Sequence, residues 1–247
     1  MKIIGVIPAR YSSTRFPGKP LADIHGNPMI WWVYQQLNSV KGIDKVYVAL
    51  DDDRVVDACK KYNIDYVMTS PNHSTHLDRL GEFCQQVHAD FYININGDEP
   101  LMKPEYIEPM IPHSINPSEF YAANAMTKIK RPVEITDVAR IKVVTDMQGY
   151  CMYLGRTPIP YPQAMSDFDY FKFVGIQCFS KSALMFCATT PRGKVESIED
   201  IDEFRFLENG KKIKFLPIDV ELLSVDTPKD LEKAKKMLPP TPEYYSI

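Results

Sequence analysis

Three observations in the sequence predict an α/β domain with a mostly parallel sheet. Short runs rich in β-branched and aromatic residues recur along the chain. Stretches with apolar residues at helical spacing lie between them. The opening run, IIGVIP at residues 3–8, is apolar at nearly every position, as expected of a strand covered on both faces. Strand–helix alternation of this kind builds one layered sheet with crossover helices.

Taken in order, residues 27–40 (NPMIWWVYQQLNSV) read as a helix, with Pro28 suited to its first turn. KVYVALD (45–51) is the second strand, and DDRVVDACKKYN (52–63) is a helix that Asn63 can close. DYVMT (65–69) is the third strand, HLDRLGEFCQQV (76–87) a helix, and DFYININGD (90–98) the fourth strand, stopping at Gly97-Asp98. The second half is less regular. FYAANAMTKI, RIKVVTD and YCMYLGR suggest strands with a hairpin around residues 146–149. IEDIDEFRFLENG (198–210) reads as one amphipathic helix closed by Gly210, and KIKFLPID as a strand. DTPKDLEKAKKML is a last helix, with Thr227 as N-cap and Pro228 at its first position. The expected organisation is one domain over residues 1–238. Its nucleotide-binding half is about 1–115. A second half, about 116–238, extends the sheet and adds an arm for dimerisation. A Pro-rich tail, 239–247, is expected to be loosely held. Trp31 and Trp32 are expected to pack in the core, and Phe204 and Phe206 to form a packed stripe that faces a partner subunit.

Composition narrows the function. With 247 residues, 45% hydrophobic and 25% charged, the chain can bury a large core. A net charge of −3 argues against binding nucleic acid through a broad basic face, so any phosphate site must be a local cluster. The cysteines (Cys59, Cys84, Cys151, Cys178, Cys187) are odd in number and never spaced C-x-x-C, which fits reduced thiols. No signal peptide and no apolar run long enough for a membrane span is present, so a cytoplasmic location is expected.

The first strand runs into ARYSSTRFPGK, a loop with Arg10, Arg15 and Lys19, three hydroxyls and no acid. In an open α/β sheet, ligands bind beyond the C-terminal strand ends, where this loop lies. Its amides, hydroxyls and cations suit phosphate oxygens. Neither G-x-x-x-x-G-K-[ST] nor G-x-G-x-x-G occurs here, which disfavours Walker-type ATPases and dinucleotide-binding dehydrogenases. Taken alone, the loop is equally well read as a basic surface segment paired with nearby acids. Two carboxylates shift that balance. Asp98 ends the fourth strand after a glycine that permits close backbone approach, and Asp226 lies between the last strand and the last helix. Both fall on the edge that carries the basic loop. Few carboxylates beside phosphates is the donor set Mg²⁺ prefers, although turn and cap roles are also common for Asp.

IPARYSSTRFPGKPL, NINGDEP, RIKVVTDMQGYCMYLGRTPIP and VDTPKDLEKA together resemble the cytidylyltransferases that make CMP-3-deoxy-D-manno-octulosonate, the CMP-Kdo synthetases. The resemblance covers nearly the whole chain with its segments in order. It implies a Rossmann-like nucleotidyltransferase domain with a mixed, mostly parallel sheet, working as a homodimer. It also implies a reaction in which a sugar-acid hydroxyl attacks the α-phosphate of CTP and pyrophosphate leaves, with Mg²⁺ as cofactor. Carried over residue by residue, Lys19, Asp98 and Asp226 are catalytic, with the two aspartates as metal ligands. Ala9, Arg10, Ser13, Arg15, Lys19, Thr69, Arg79 and Asn96 are placed at the nucleotide. Lys142, Arg156, Phe173, Gln177, Asp202 and Glu203 are placed on the acceptor side.

The chain departs from the family pattern at identifiable points. S-G-T-[ED]-R becomes Thr75-His76-Leu77-Asp78-Arg79, N-[VL]-Q-G-D-[EQ]-P carries Asn96 in place of Gln, and H-x-G-[IV]-Y-x-[YF] carries Phe173 and Gln177 in place of His and Tyr. E-Q-L-R becomes Asp202-Glu203-Phe204-Arg205. Triphosphate and metal positions persist while sugar-facing positions change. That pattern predicts an acceptor other than ordinary Kdo, either a modified sugar acid or another anionic acceptor. A competing reading is drift at a few contacts with the substrate unchanged. A catalytically inactive nucleotide-binding relative would have no reason to keep Lys19, Asp98 and Asp226 together, and UTP in place of CTP is the remaining alternative. His73 and His76 receive no role, their H-x-x-H spacing lacking a third ligand.

Overall fold

The pleat of the opening strand accounts for its apolar run. In the computed structural model, which describes residues 1–12, 16–164 and 167–240, β1 spans Ile3–Ala9. Ile3, Ile7 and Ala9 enter one apolar cluster, and Ile4 and Val6 enter a second. Successive side chains of a strand leave opposite faces, so a strand without a polar face must be covered twice. The chain then forms a miniature hairpin, β2 (Asp23–Ile24) and β3 (Asn27–Pro28), before α1 (Met29–Asn38). Pro28 is the extended N-cap of α1, with ψ of 149°, and stands just before the first turn. β4 (Lys45–Leu50), α2 (Asp53–Lys61), β5 (Tyr66–Met68), α3 (His76–Gln86) and β6 (Phe91–Ile95) complete the first half. Asn63 turns the chain out of α2 at φ 53°, a conformation asparagine tolerates.

The second half holds α4 (Pro104–Ile107), β7 (Ala122–Lys128), α5 (Val133–Thr136) and a hairpin of β8 (Lys142–Thr145) and β9 (Cys151–Gly155). It continues with β10 (Phe171–Ser180), α6 (Lys181–Thr189), α7 (Lys194–Glu199), α8 (Phe204–Leu207), β11 (Lys214–Pro217) and α9 (Pro228–Met237). Thr227 caps α9, its hydroxyl accepting from the Asp230 amide, with Pro228 next.

The single helix expected over 198–210 is instead two short helices broken at Asp200, where φ is 52°. The ion pairs of this segment account for the break. Arg205 reaches Glu196 and Asp78, and Asp202 reaches His76, so tertiary charge pairing overrides helical periodicity. Phe204 and Phe206 are buried in the chain's own core at 3% and 0% exposure, which removes them from any partner-facing surface. Two elements with no sequence expectation, β10 and α6, prove central.

The nine-stranded sheet has the order β11-β7-β10-β6-β1-β4-β5, with β8 joined to β10 and β9 joined to β8. β1 pairs in parallel with β4 and β6, and β10 runs antiparallel between β6 and β7. The sheet is mixed and mostly parallel, and both halves of the chain contribute to it. Because β1, β4 and β6 share a direction, the residues that follow them meet at one edge. A third apolar cluster, including Trp32, Val225, Leu231 and Ala234, holds α9 against α1 beside that edge.

Candidate active site

Residues leaving β1 and β6, with the start of α3, line a single cavity of about 600 Å³. Ala9, Arg10, Ser12 and Lys19 form one wall, Asn96, Gly97 and Asp98 another, and Ser74, Thr75, His76 and Arg79 a third. The basic loop closes at its base. Gly18, at φ 71°, donates its amide to the Tyr11 carbonyl at 3.0 Å, which aims Lys19 inward. Ser13 and Arg15 lie outside the described residues.

Lys19 Nζ stands 2.6 Å from Asp98 Oδ2 and 3.7 Å from Asp226 Oδ1. Those carboxylates, far apart in sequence, therefore converge on one ammonium. A backbone bond brings them together, the Val225 amide donating to the Asp98 carbonyl at 2.8 Å. Gly97 has a different reason from the one expected. A Cβ there would lie 2.9 Å from the Pro8 carbonyl oxygen, so the glycine admits the neighbouring strand's backbone.

Arg79 is fully buried. It donates to the Thr69 hydroxyl, and its Nη2 reaches Asp51 Oδ2 at 2.7 Å. Asp51 Oδ1 also accepts from the Tyr11 amide at 3.2 Å. One carboxylate thus ties the base of the basic loop to the first turn of α3. Thr69 lies behind Arg79, its hydroxyl donating to the Leu50 carbonyl at 2.9 Å. It supports the wall and does not line the cavity.

The acceptor-side expectations divide. Asp202 lines the cavity, pairing with His76 Nδ1 at 2.6 Å. His76 Nε2 lies 3.2 Å from Gln177 Oε1, which also accepts from Asn94 Nδ2 at 2.6 Å. The Gln177 amide donates in turn to Glu203. With Oε1 of Gln177 as acceptor and Asp202 on the other nitrogen, the imidazole carries both protons. Burial opposes that charge, but Asp202 outweighs it and raises the His76 pKa to about 9. Burial pushes Glu203 up to about 7, against the charge of His76. Gln177 and Glu203 are therefore buried behind His76 and Asp202, the pair that lines the cavity.

Lys142 and Arg156 do not face the cavity. Lys142 is fully buried and gives its donors to the backbone carbonyls of Asp137, Arg140 and Arg156. Arg156 donates to the carbonyls of Glu199, Val138 and Asp200. Both clamp loops together: the three donors of buried Lys142 all meet carbonyl oxygens, and the partly exposed Arg156 spends a donor on each of three more. Phe173 lines a separate small cleft with Glu99 and Arg140.

Three residues escaped the sequence reading. Asp51 sits in an acidic run that looks like an ordinary helix start, and Glu99 is masked by its neighbour Asp98. His76 had one signal, its replacement of a motif glycine. His73 bonds Glu82, and among the described residues no three potential ligands gather as a closed metal centre.

A family model described as cytidylyltransferase matches residues 4–213. An 8-amino-3,8-dideoxy-manno-octulosonate cytidylyltransferase of Shewanella baltica (strain OS195) is 36% identical over 242 residues, spanning 96% of this chain and 99% of its own. A 3-deoxy-manno-octulosonate cytidylyltransferase of Solibacter usitatus (strain Ellin6076) is 38% identical over 237 residues, spanning 96% and 94%. The solved structure of a CMP:2-keto-3-deoxy-manno-octonic acid synthetase complexed with CTP superposes with a TM-score of 0.90 at 35% identity, covering 96% of this chain and 98% of that one. A 4-diphosphocytidyl-2C-methyl-D-erythritol synthase from Anaerococcus prevotii, covering 96% of both chains, shares the fold alone, at 16% identity and a TM-score of 0.62.

Proposed function

The chain belongs to the cytidylyltransferase family, and from that premise we propose that it transfers CMP from CTP to a sugar acid of the 3-deoxy-manno-octulosonate class, releasing pyrophosphate. The observation that carries this reading is the convergence of Asp98 and Asp226 on Lys19, in the wall of a cavity that Arg10 also lines. The acceptor hydroxyl attacks the α-phosphorus, a new phosphorus–oxygen bond forms, and the bond to the pyrophosphate oxygen breaks. No protein nucleophile is needed. Arg10 and Lys19 hold phosphate oxygens and neutralise charge that grows on the leaving pyrophosphate. Arg79, fixed by Asp51, shapes the wall on the nucleotide side.

Mg²⁺ fits the donor set. Two carboxylates that converge on one cationic group leave other coordination positions for phosphate oxygens and water. When bound by Asp98 and Asp226, the ion supplies charge neutralisation and makes the attacking hydroxyl more acidic.

The acceptor reading covers Kdo and modified forms, including the 8-amino acid named for the Shewanella relatives. The self-satisfied His76–Gln177–Glu203 set favours a modified acceptor, because it offers fewer open partners to a hydroxyl. The test is pyrophosphate release from CTP and Mg²⁺ with Kdo and with 8-amino-3,8-dideoxy-manno-octulosonate, alongside UTP. Turnover with CTP and either acid supports the reading, and silence with both acids sinks the acceptor class. We also propose a homodimer that uses the β8–β9 hairpin, where Met147 and Met152 are exposed at 104% and 64%. Sedimentation of the chain and of Met152→Glu tests this, a monomeric wild-type chain refuting it. No described helix is long and apolar enough to cross a membrane. The cytoplasm, where CTP is held, is the proposed location.

A further inference from the structure

Beside Asp98 and Asp226 lies a second, narrower cleft of about 30 Å³, lined by Glu99, Thr127, Arg140, Lys172, Phe173 and Ser224. That volume admits about one or two water-sized groups. Glu99 closes it, with 5% of the residue exposed. Its Oε1 accepts from the Ser224 hydroxyl at 3.2 Å, and its Oε2, fully buried, has no hydrogen-bond partner among the described residues. An orphaned carboxyl oxygen has lost its hydration without replacement, so an unsatisfied one at the edge of a reaction site asks for a ligand group.

Gly175 stands between Asn96, which lines the main cavity, and Glu99, which lines the cleft. A Cβ on Gly175 would lie 2.4 Å from Asn96 Nδ2 and 3.0 Å from Glu99 Oε1, so the missing side chain lets these two stand together. Asn96 lines the main cavity, and Ser224 stands two positions before Asp226. Phe173 offers the cleft no hydrogen bond. Lys172 is committed to Glu134 at 2.6 Å. Arg140 makes a 3.8 Å contact with Asp137 and retains guanidinium donors. With the phosphates on the Arg10–Lys19 wall, polar recognition on this side falls to Glu99 and Arg140.

Resting on the proposed function, we propose that Glu99 and Arg140 form an acceptor-binding subsite, in which one hydroxyl of the sugar acid bonds Glu99 Oε2 and Arg140 faces its carboxylate. Neither residue carries chemistry. They seat the acceptor so that its attacking hydroxyl lies beside Asp98 and Asp226.

The experiment is steady-state kinetics of the wild-type chain, Glu99→Ala and Arg140→Met, using CTP and whichever of Kdo or 8-amino-3,8-dideoxy-manno-octulosonate the wild type turns over. Each variant is expected to raise the KM for the acid about tenfold or more and to leave the KM for CTP within about twofold. An unchanged acid KM in both variants, or an equal rise in both KM values, overturns the subsite while leaving the transferase reading intact. A wild-type chain inactive with both acids overturns the two together. Should Glu99→Ala fail to fold, Arg140→Met, a change at a partly exposed residue, carries the test with the same outcomes.

Discussion

Asp98 carries the carboxylate nearer to Lys19, takes its position from the Val225 amide, and belongs to the cavity wall. Asp98→Ala is therefore expected to lower turnover at least about a hundredfold, with an unchanged urea midpoint. Retained activity would show that the carboxylate pair is not the metal site. Asp51 presents the opposite case. It is the carboxylate partner of the fully buried Arg79 and also anchors the Tyr11 amide. Asp51→Asn leaves a buried guanidinium without its counter-charge, a change worth about 3–5 kcal/mol of stability. Chemical denaturation checks that figure, and a loss below about 1 kcal/mol would mean that Arg79 finds solvent or another acid.

Between elements, strand β10 does more for the site than its absence from the sequence reading suggests. It runs antiparallel between β6 and β7, with a register shift between Val174 and Gln177. At that irregularity the Gly175 carbonyl accepts from the Asn96 amide at 3.2 Å. Gly175→Ala would drive a methyl group against Asn96 and Glu99, costing about 1–3 kcal/mol and displacing the end of β6. Impaired turnover together with a lowered melting temperature is the expected pair of results. A stable variant with full activity would show that the strand end can shift freely.

Across the whole molecule, the polar set formed by His76, Asp202, Gln177, Glu203 and Asn94 links α3, β10, β6 and the segment before α8. Its protonation makes stability depend on pH. His76 is raised from an ordinary 6.5 to about 9, so between those values the folded chain holds a proton that the unfolded chain has released. The stabilisation is complete below pH 6.5 and fades as pH climbs through about 9. Glu203, raised from 4.5 to about 7, pushes in the same direction at lower pH. Unfolding free energies from urea titrations are expected to fall between pH 6.5 and 9.5, by up to about 3 kcal/mol from His76 at about 1.4 kcal/mol per pKa unit. His76→Gln should flatten that part of the profile, and an equally steep profile in the variant would assign the effect elsewhere.

The basic loop was legible because its charge is unbalanced within a short segment, and the strands were legible because burial on both faces leaves no polar alternation. At Lys142 and Arg156 the sequence shows a cation without showing the carbonyls it bonds. Glu99 was hidden because orphaning is a property of the surroundings, not of the residue. The helix expected over 198–210 failed where Arg205 and Asp202 were drawn to distant partners on α3.

By itself, then, the sequence determined the strand–helix alternation, the basic loop at the end of β1, and the identity of the groups able to meet a triphosphate. These follow from local pattern and composition, which are written along the chain. Only the tertiary structure decided that Asp98 and Asp226 both pair with Lys19, that Arg79 is held by Asp51, and that His76 pairs with Asp202. Those facts depend on which backbone amides and buried charges find each other across the sheet, and pairing between distant segments leaves no mark on either segment alone.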